Sequence, residues 1–113
     1  MTVTLFHNPK CSTSRKALER LQEEGVQPTV VEYLKTGWDA ATLDRLAART
    51  GVGLSGLLRR REAKAGELLA QGASDEVIRA AMIAEPALVE RPIIETDKGA
   101  RIGRPVEAIL EVL

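Results

Sequence analysis

Short apolar runs near both ends of the chain flank a long middle part in which apolar residues recur at helical spacing. Residues 3–6 form an apolar run that predicts a strand, and residues 29–33 predict a second one. Between them, residues 15–24 carry Ala17, Leu18 and Leu21 on one narrow face, which predicts a half-buried helix. A strand, a helix and a strand within about 30 residues match the size of a βαβ unit, whose strands run parallel.

The middle of the chain, from about residue 36 to residue 88, predicts a group of helices. Asp39 and Ser74 are favoured N-cap residue types, and each precedes a helical pattern. A shorter helix is predicted from Leu54 to about Arg61.

The last part of the chain predicts a β-hairpin and a closing helix. Residues 92–96 and 100–103 are short apolar runs around a turn with glycine, and Pro105 suits the first turn of a helix. The order β-α-β, helices, β-β-α predicts an α/β protein with a thioredoxin-like fold. We expect one domain, residues 1–113, with a mixed central sheet of about four strands and a helical insertion at about residues 36–88 between its βαβ and ββα halves.

Composition narrows the classes of partner. Sixteen basic residues balance sixteen acidic ones, and there is one each of Phe, Tyr and Trp, so a general nucleic-acid surface is not expected. No apolar run approaches the roughly 20 residues of a membrane span, and the N-terminus is too short and polar for a signal peptide. A single cysteine excludes an intramolecular disulfide. We therefore expect a cytoplasmic protein that binds neither membrane nor nucleic acid.

The only cysteine and the only histidine, Cys11 and His7, lie within five residues of each other. Cys11 is predicted at a strand-to-helix turn, where free backbone N–H groups and the helix dipole favour a thiolate. A lone cysteine is often an inert buried residue, but polar and turn-forming neighbours favour a nucleophile here. His7 is either a structural residue at a strand end or a group that tunes Cys11.

Neighbouring positions exclude several other chemistries. Ser14 stands where a C-x-x-C motif has its second thiol, so another molecule must resolve any Cys11 intermediate. Ala17 stands where a C-x5-R phosphatase-like loop needs arginine. One cysteine and one histidine do not complete a tetrahedral zinc site, and no metal is expected.

Three arginines occupy suggestive positions, namely Arg59, Arg91 and Arg104. The planar guanidinium fork suits a tetrahedral oxyanion. Arg91 and Arg104 each precede a proline that starts an element, in loops that could meet the Cys11 loop at one edge of the sheet. Arg60, Arg61 and Arg101 are better interpreted as surface residues.

Four motifs together closely resemble the glutathione- and glutaredoxin-coupled arsenate reductase family: His7-Asn8-Pro9-x-Cys11-x-Thr13-Ser14-Arg15, Leu57-Leu58-Arg59, Glu90-Arg91-Pro92-Ile93-Ile94 and Gly103-Arg104-Pro105. The resemblance covers about residues 3–113 and is to the shorter branch, since the longest members carry a C-terminal extension. It implies Cys11 as nucleophile, His7 and Ser14 as residues that tune the thiolate, and a cis Arg91–Pro92 bond. It also implies that Arg59, Arg91 and Arg104 bind the oxyanion, although Arg60 stays an alternative to Arg59.

The implied activity is reduction of arsenate to arsenite through a covalent Cys11–arsenic intermediate. Glutathione would act as co-substrate, glutaredoxin would complete the reduction, and no bound cofactor is needed. We expect a monomer. The alternatives are a related thiol-dependent reductase with another substrate and a non-enzymatic transcriptional regulator that binds RNA polymerase. Regulators of this superfamily typically carry C-x-x-C, and Ser14 argues against that class.

Overall fold

The computed structural model describes residues 2–113. In chain order the elements are β1 (Thr4–Phe6), α1 (Ser12–Glu23), β2 (Thr29–Val31), α2 (Tyr33–Thr36), α3 (Ala40–Thr50), α4 (Gly53–Leu57), α5 (Ala63–Ala70), α6 (Asp75–Ala84), a 3₁₀ helix (Pro86–Leu88), β3 (Ile93–Thr96), β4 (Gly99–Ile102) and a closing 3₁₀ helix (Val106–Val112). Within the described range, none of the helices combines the length and the apolar character that crossing a membrane requires.

The chain divides into two compact units. One contains the described residues up to Thr36 together with Arg91–Leu113, and the other contains Gly37–Glu90. The first unit holds the sheet, and the second is built from α3 to α6 and the first 3₁₀ helix.

The sheet of the first unit has the strand order β2-β1-β3-β4. β1 runs parallel to β2 and antiparallel to β3, and β3 runs antiparallel to β4. The parallel pair is the predicted βαβ unit, and the antiparallel pair is the predicted hairpin. This mixed four-stranded sheet confirms the thioredoxin-like fold.

Apolar residues of the sheet, of α1 and of the closing helix form the core of the first unit. Its buried members are Val3, Leu5, Ala17, Leu21, Ile94, Ile109 and Val112. Gly103 allows a close approach between the closing helix and the loop before β3. A Cβ atom there would lie 2.8 Å from Pro92 Cγ and 3.2 Å from Ile109 Cγ2. The segments that contain Arg91 and Arg104 can therefore pack closely only with glycine at this position.

The second unit confirms both predicted helix caps. The Asp39 carboxylate accepts a hydrogen bond from Thr42 N at 2.7 Å, and the Ser74 hydroxyl accepts one from Val77 N at 3.3 Å. The second unit buries a set of leucines together with Ile78 and Met82. The leucines are Leu43, Leu46, Leu54, Leu57, Leu58, Leu68 and Leu88.

Several predicted boundaries were wrong. β2 ends at Val31 and Tyr33 begins the short α2, because the Glu32 carbonyl accepts helical hydrogen bonds from Lys35 N and Thr36 N. α1 begins at Ser12, so Cys11 itself is the N-cap. α4 ends at Leu57, because Leu58 is extended and pairs with Val89 in an antiparallel bridge.

The closing segment also departs from the prediction. It is a 3₁₀ helix, and Pro105 lies before its first residue. The peptide bonds Arg91–Pro92 and Arg104–Pro105 are both cis. The first was expected from the family resemblance and is confirmed, and the second was not expected.

Candidate active site

Cys11 lies at the junction between β1 and α1. It is the N-cap of α1, with extended backbone angles (φ −93°, ψ 123°), and its side chain is partly exposed. Its carbonyl accepts the first helical hydrogen bond from Arg15 N at 3.0 Å, and its own N–H donates to Asn8 O at 3.0 Å. The sulfur is therefore placed at the positive end of a helix.

The surroundings of Cys11 stabilise its thiolate. Partial burial raises the thiol pKa. Hydrogen bonds from the Ser14 N–H, the Arg91 side chain and the Thr13 N–H lower it, as does the Arg91 charge, and the net result is a pKa below the ordinary value. A lowered pKa leaves more of the reactive thiolate at neutral pH.

Two of the three predicted arginines contact this sulfur. Arg104 Nη2 lies 3.7 Å from Cys11 Sγ, and Arg91 donates a side-chain hydrogen bond to it. Arg104 Nε also donates to the main-chain oxygen of Arg91 at 2.8 Å, which joins the two arginines to each other. The structure thus brings two guanidinium groups from the β3–β4 end of the chain to the nucleophile.

His7 and Ser14 form a buried pair behind the Cys11 loop. His7 Nδ1 and Ser14 Oγ are 2.7 Å apart, and the Ser14 hydroxyl also accepts a hydrogen bond from Asn8 N at 3.1 Å. Burial lowers the His7 pKa, Glu32 raises it and Arg15 lowers it, with a net lowering. His7 is therefore mainly neutral at neutral pH. Because the Ser14 N–H bonds the thiolate, His7 can act on Cys11 through Ser14.

Arg59 belongs to the second unit. Its side chain is buried and donates from Nη1 to Glu90 Oε1 at 2.9 Å, and its N–H donates to Leu88 O at 2.7 Å. Arg60 and Arg61 are exposed. Arg59 is thus the arginine of this run that is held in a defined position, and its role in oxyanion binding stays a prediction.

Sequence reasoning missed two residues that shape the loop. Asn8 is buried, and its Oδ1 accepts a hydrogen bond from Lys10 N at 3.0 Å. Arg15 Nη1 donates to Pro9 O at 3.0 Å. The local signal for Asn8 was available, because asparagine side chains commonly bond the backbone two residues further on in turns.

The arrangement suits nucleophilic attack on an oxyanion. A thiolate supplies the electron pair, and two guanidinium groups supply positive charge and directional N–H donors for oxygen atoms. Among residues 2–113, no three or more His, Cys, Asp and Glu side chains are grouped so that they could hold a metal ion.

Comparison with known proteins identifies the family of the chain. The model of the ArsC family matches residues 6–112. The chain is 46% identical to the uncharacterized protein YfgD of Escherichia coli strain K12 (98% of this chain, 96% of the relative) and 38% identical to an arsenate reductase of Rhizobium meliloti strain 1021 (100% and 82%). The solved structure of an arsenate reductase from Vibrio cholerae superimposes with a TM-score of 0.92 at 40% identity, over 100% of this chain and 98% of that one. The chain therefore belongs to the ArsC family.

Proposed function

We propose that this protein is an arsenate reductase that uses Cys11 as its nucleophile. The observation that carries the proposal is the contact of Arg91 and Arg104 with the Cys11 sulfur, in a chain whose relatives include proteins named arsenate reductase. A tetrahedral arsenic oxyanion offers the electrophilic centre and the negatively charged oxygens that this arrangement can engage.

In the first step the Cys11 thiolate attacks arsenic. A sulfur–arsenic bond forms, and one oxygen leaves as water after taking up protons. Arg91 and Arg104 hold the remaining oxygens and offset their charge. Arg59 is the third oxyanion ligand of the proposal on the family resemblance alone.

Reduction then requires thiols from other molecules, because the chain contains a single cysteine. Glutathione displaces a second oxygen as water and forms a sulfur–arsenic bond of its own. A glutaredoxin thiolate attacks the glutathione sulfur, so that the electron pair of that sulfur–arsenic bond reduces As(V) to As(III) and a mixed disulfide leaves. Water then releases arsenite and regenerates Cys11.

The decisive experiment measures NADPH oxidation coupled through glutathione reductase, glutathione and glutaredoxin, with and without arsenate. We expect an arsenate-dependent rate that Cys11→Ser abolishes, because a serine hydroxyl stays protonated at neutral pH. An arsenate-dependent rate that survives in Cys11→Ser would contradict the proposed nucleophile.

A related thiol-dependent reductase with another substrate is the second candidate. One observation supports it: a thiolate beside two guanidinium groups can engage oxyanions in general, so the contacts of Arg91 and Arg104 with Cys11 are not specific to arsenate. The same coupled assay separates the two candidates. A purified protein with a reactive Cys11 but no arsenate-dependent rate would favour the second.

A further inference from the structure

Asn8 is a buried polar residue between the end of β1 and the cysteine. Only 6% of it is exposed, and three of its polar groups are engaged within the Cys11 loop and the first turn of α1. Its Oδ1 accepts from Lys10 N at 3.0 Å, and its carbonyl accepts from Cys11 N at 3.0 Å. Its N–H donates to Ser14 Oγ at 3.1 Å.

These bonds fix two neighbours of the sulfur at once. The carbonyl of Asn8 holds the main chain of Cys11, and its N–H holds the side chain of Ser14, whose own N–H bonds the sulfur. The two main-chain groups belong to any residue at this position. The side-chain oxygen is specific to asparagine and a few similar residues, and it closes the turn through Pro9 and Lys10 that leads into Cys11.

The site depends on precise placement of the sulfur. Its charged neighbours are Arg91 and Arg104, and Arg104 Nη2 already lies at 3.7 Å, near the outer limit for a hydrogen bond to sulfur. Hydrogen bonds weaken steeply with distance and misalignment. A small displacement of the Cys11 main chain would therefore weaken several stabilising contacts together.

We propose that the Asn8 side chain is a positioning residue for the nucleophile: by closing the turn onto Lys10 N it sets where the Cys11 sulfur meets its hydrogen-bond donors. The proposal rests on the proposed role of Cys11 and assigns no contact between Asn8 and substrate.

The first test is Asn8→Ala in the full chain, read by the pH dependence of Cys11 alkylation with iodoacetamide. Alkylation needs neither arsenate nor glutathione, so its result does not depend on which substrate is correct. We expect the apparent thiol pKa to rise toward its ordinary value of about 8.5. In the coupled assay, kcat should fall about three- to tenfold, the size of effect that loss of one neutral hydrogen bond produces.

A conservative variant and a matched control separate positioning from general destabilisation. Asn8→Ser keeps a side-chain oxygen that can bond the backbone two residues on, and it should recover part of both losses. Asp39→Ala removes a comparable bond, from the carboxylate to Thr42 N at 2.7 Å in the second unit. It should lower the thermal midpoint and leave Cys11 alkylation unchanged.

The outcomes are distinct. A raised thiol pKa in Asn8→Ala with partial recovery in Asn8→Ser would support the proposal. If Asn8→Ala does not fold, Asn8→Ser alone decides, because it should then show an intermediate pKa shift. An unchanged alkylation profile in a folded Asn8 variant, or an equal shift in Asp39→Ala, would overturn the proposal.

Discussion

Arg104→Lys is the substitution that most directly tests the geometry of the site. Arg104 makes two contacts with different nitrogens, Nη2 to Cys11 Sγ at 3.7 Å and Nε to Arg91 O at 2.8 Å. Lysine keeps the positive charge but has a single nitrogen at the end of a flexible chain. It can reach the sulfur or the carbonyl, and it cannot repeat both contacts with the same alignment.

The expected loss follows from the contact that lysine gives up. A hydrogen bond from a charged donor contributes about 1.5–3 kcal/mol, and each 1.36 kcal/mol of transition-state stabilisation corresponds to about a tenfold change in rate. Arg104 is partly exposed, so solvent replaces part of the lost interaction. We therefore expect kcat/KM for arsenate to fall by about ten- to a hundredfold.

The assay is the coupled NADPH oxidation with varied arsenate and saturating glutathione and glutaredoxin. Arg101→Lys is the matched control, because Arg101 lies on β4 and its Nη1 donates to Ala100 O at 2.7 Å. That substitution also removes a guanidinium bond to a main-chain carbonyl, and the other partner of Arg101 is the Glu111 carboxylate at 3.3 Å. Its kcat/KM should stay within about twofold of the parent protein, as for most surface substitutions.

Two results would refute this reasoning. Arg104→Lys could keep the kcat/KM of the parent, in which case positive charge alone is sufficient and the two-nitrogen geometry is irrelevant. Alternatively, Arg101→Lys could lose as much activity as Arg104→Lys. The loss would then reflect a general disturbance of β4 and its following loop.

Two further predictions concern the thiol and the core. The rate of Cys11 alkylation should rise with pH, with a midpoint below the ordinary thiol pKa of about 8.5. Arg91→Gln should raise that midpoint, because it removes a hydrogen bond and a positive charge from the thiolate. A midpoint at or above about 8.5 in the parent protein would contradict the thiolate assignment. By linkage, the stability that the thiolate contributes is fully present above the ordinary pKa and is lost as pH falls through the lowered one. Thr96→Val should lower the free energy of unfolding by about 1–3 kcal/mol in urea denaturation, because the buried Thr96 hydroxyl donates to Val112 O at 2.6 Å and accepts from Lys98 N at 3.0 Å. Thr29→Val, at an exposed position of β2, is its control, and equal losses in both variants would contradict this explanation.

The pattern of residues predicted the elements of the fold better than their boundaries. β1, α1, β2 and the β3–β4 hairpin each follow from a run of apolar residues with local turn or cap signals. β-propensity favours Tyr33 in a strand, but Tyr33 begins α2, where the Glu32 carbonyl accepts hydrogen bonds from Lys35 N and Thr36 N. The helical pattern predicts Leu58 in a helix, but Leu58 is extended and pairs with the distant Val89. At Leu58 a contact remote in sequence overrides the local preference.

In the candidate site, too, some features follow from local sequence and others from contacts between distant residues. The sequence by itself determined that Cys11 lies at a strand-to-helix turn, that Ser14 replaces a second thiol and that arginines stand before Pro92 and Pro105. These are local properties, because a turn, a cap and a motif depend on neighbouring residues.

Only the tertiary structure decided which groups meet the sulfur. Arg91 and Arg104 reach Cys11 because β3 pairs with β1 and Gly103 lets the loop before the closing helix approach Pro92. The spacing of residues along the chain does not predict these contacts with Cys11, since they depend on the pairing of strands far apart in sequence. For Asn8 the sequence offers the turn signal, and the folded loop adds its burial, which strengthens the hydrogen bond from Lys10 N to its Oδ1.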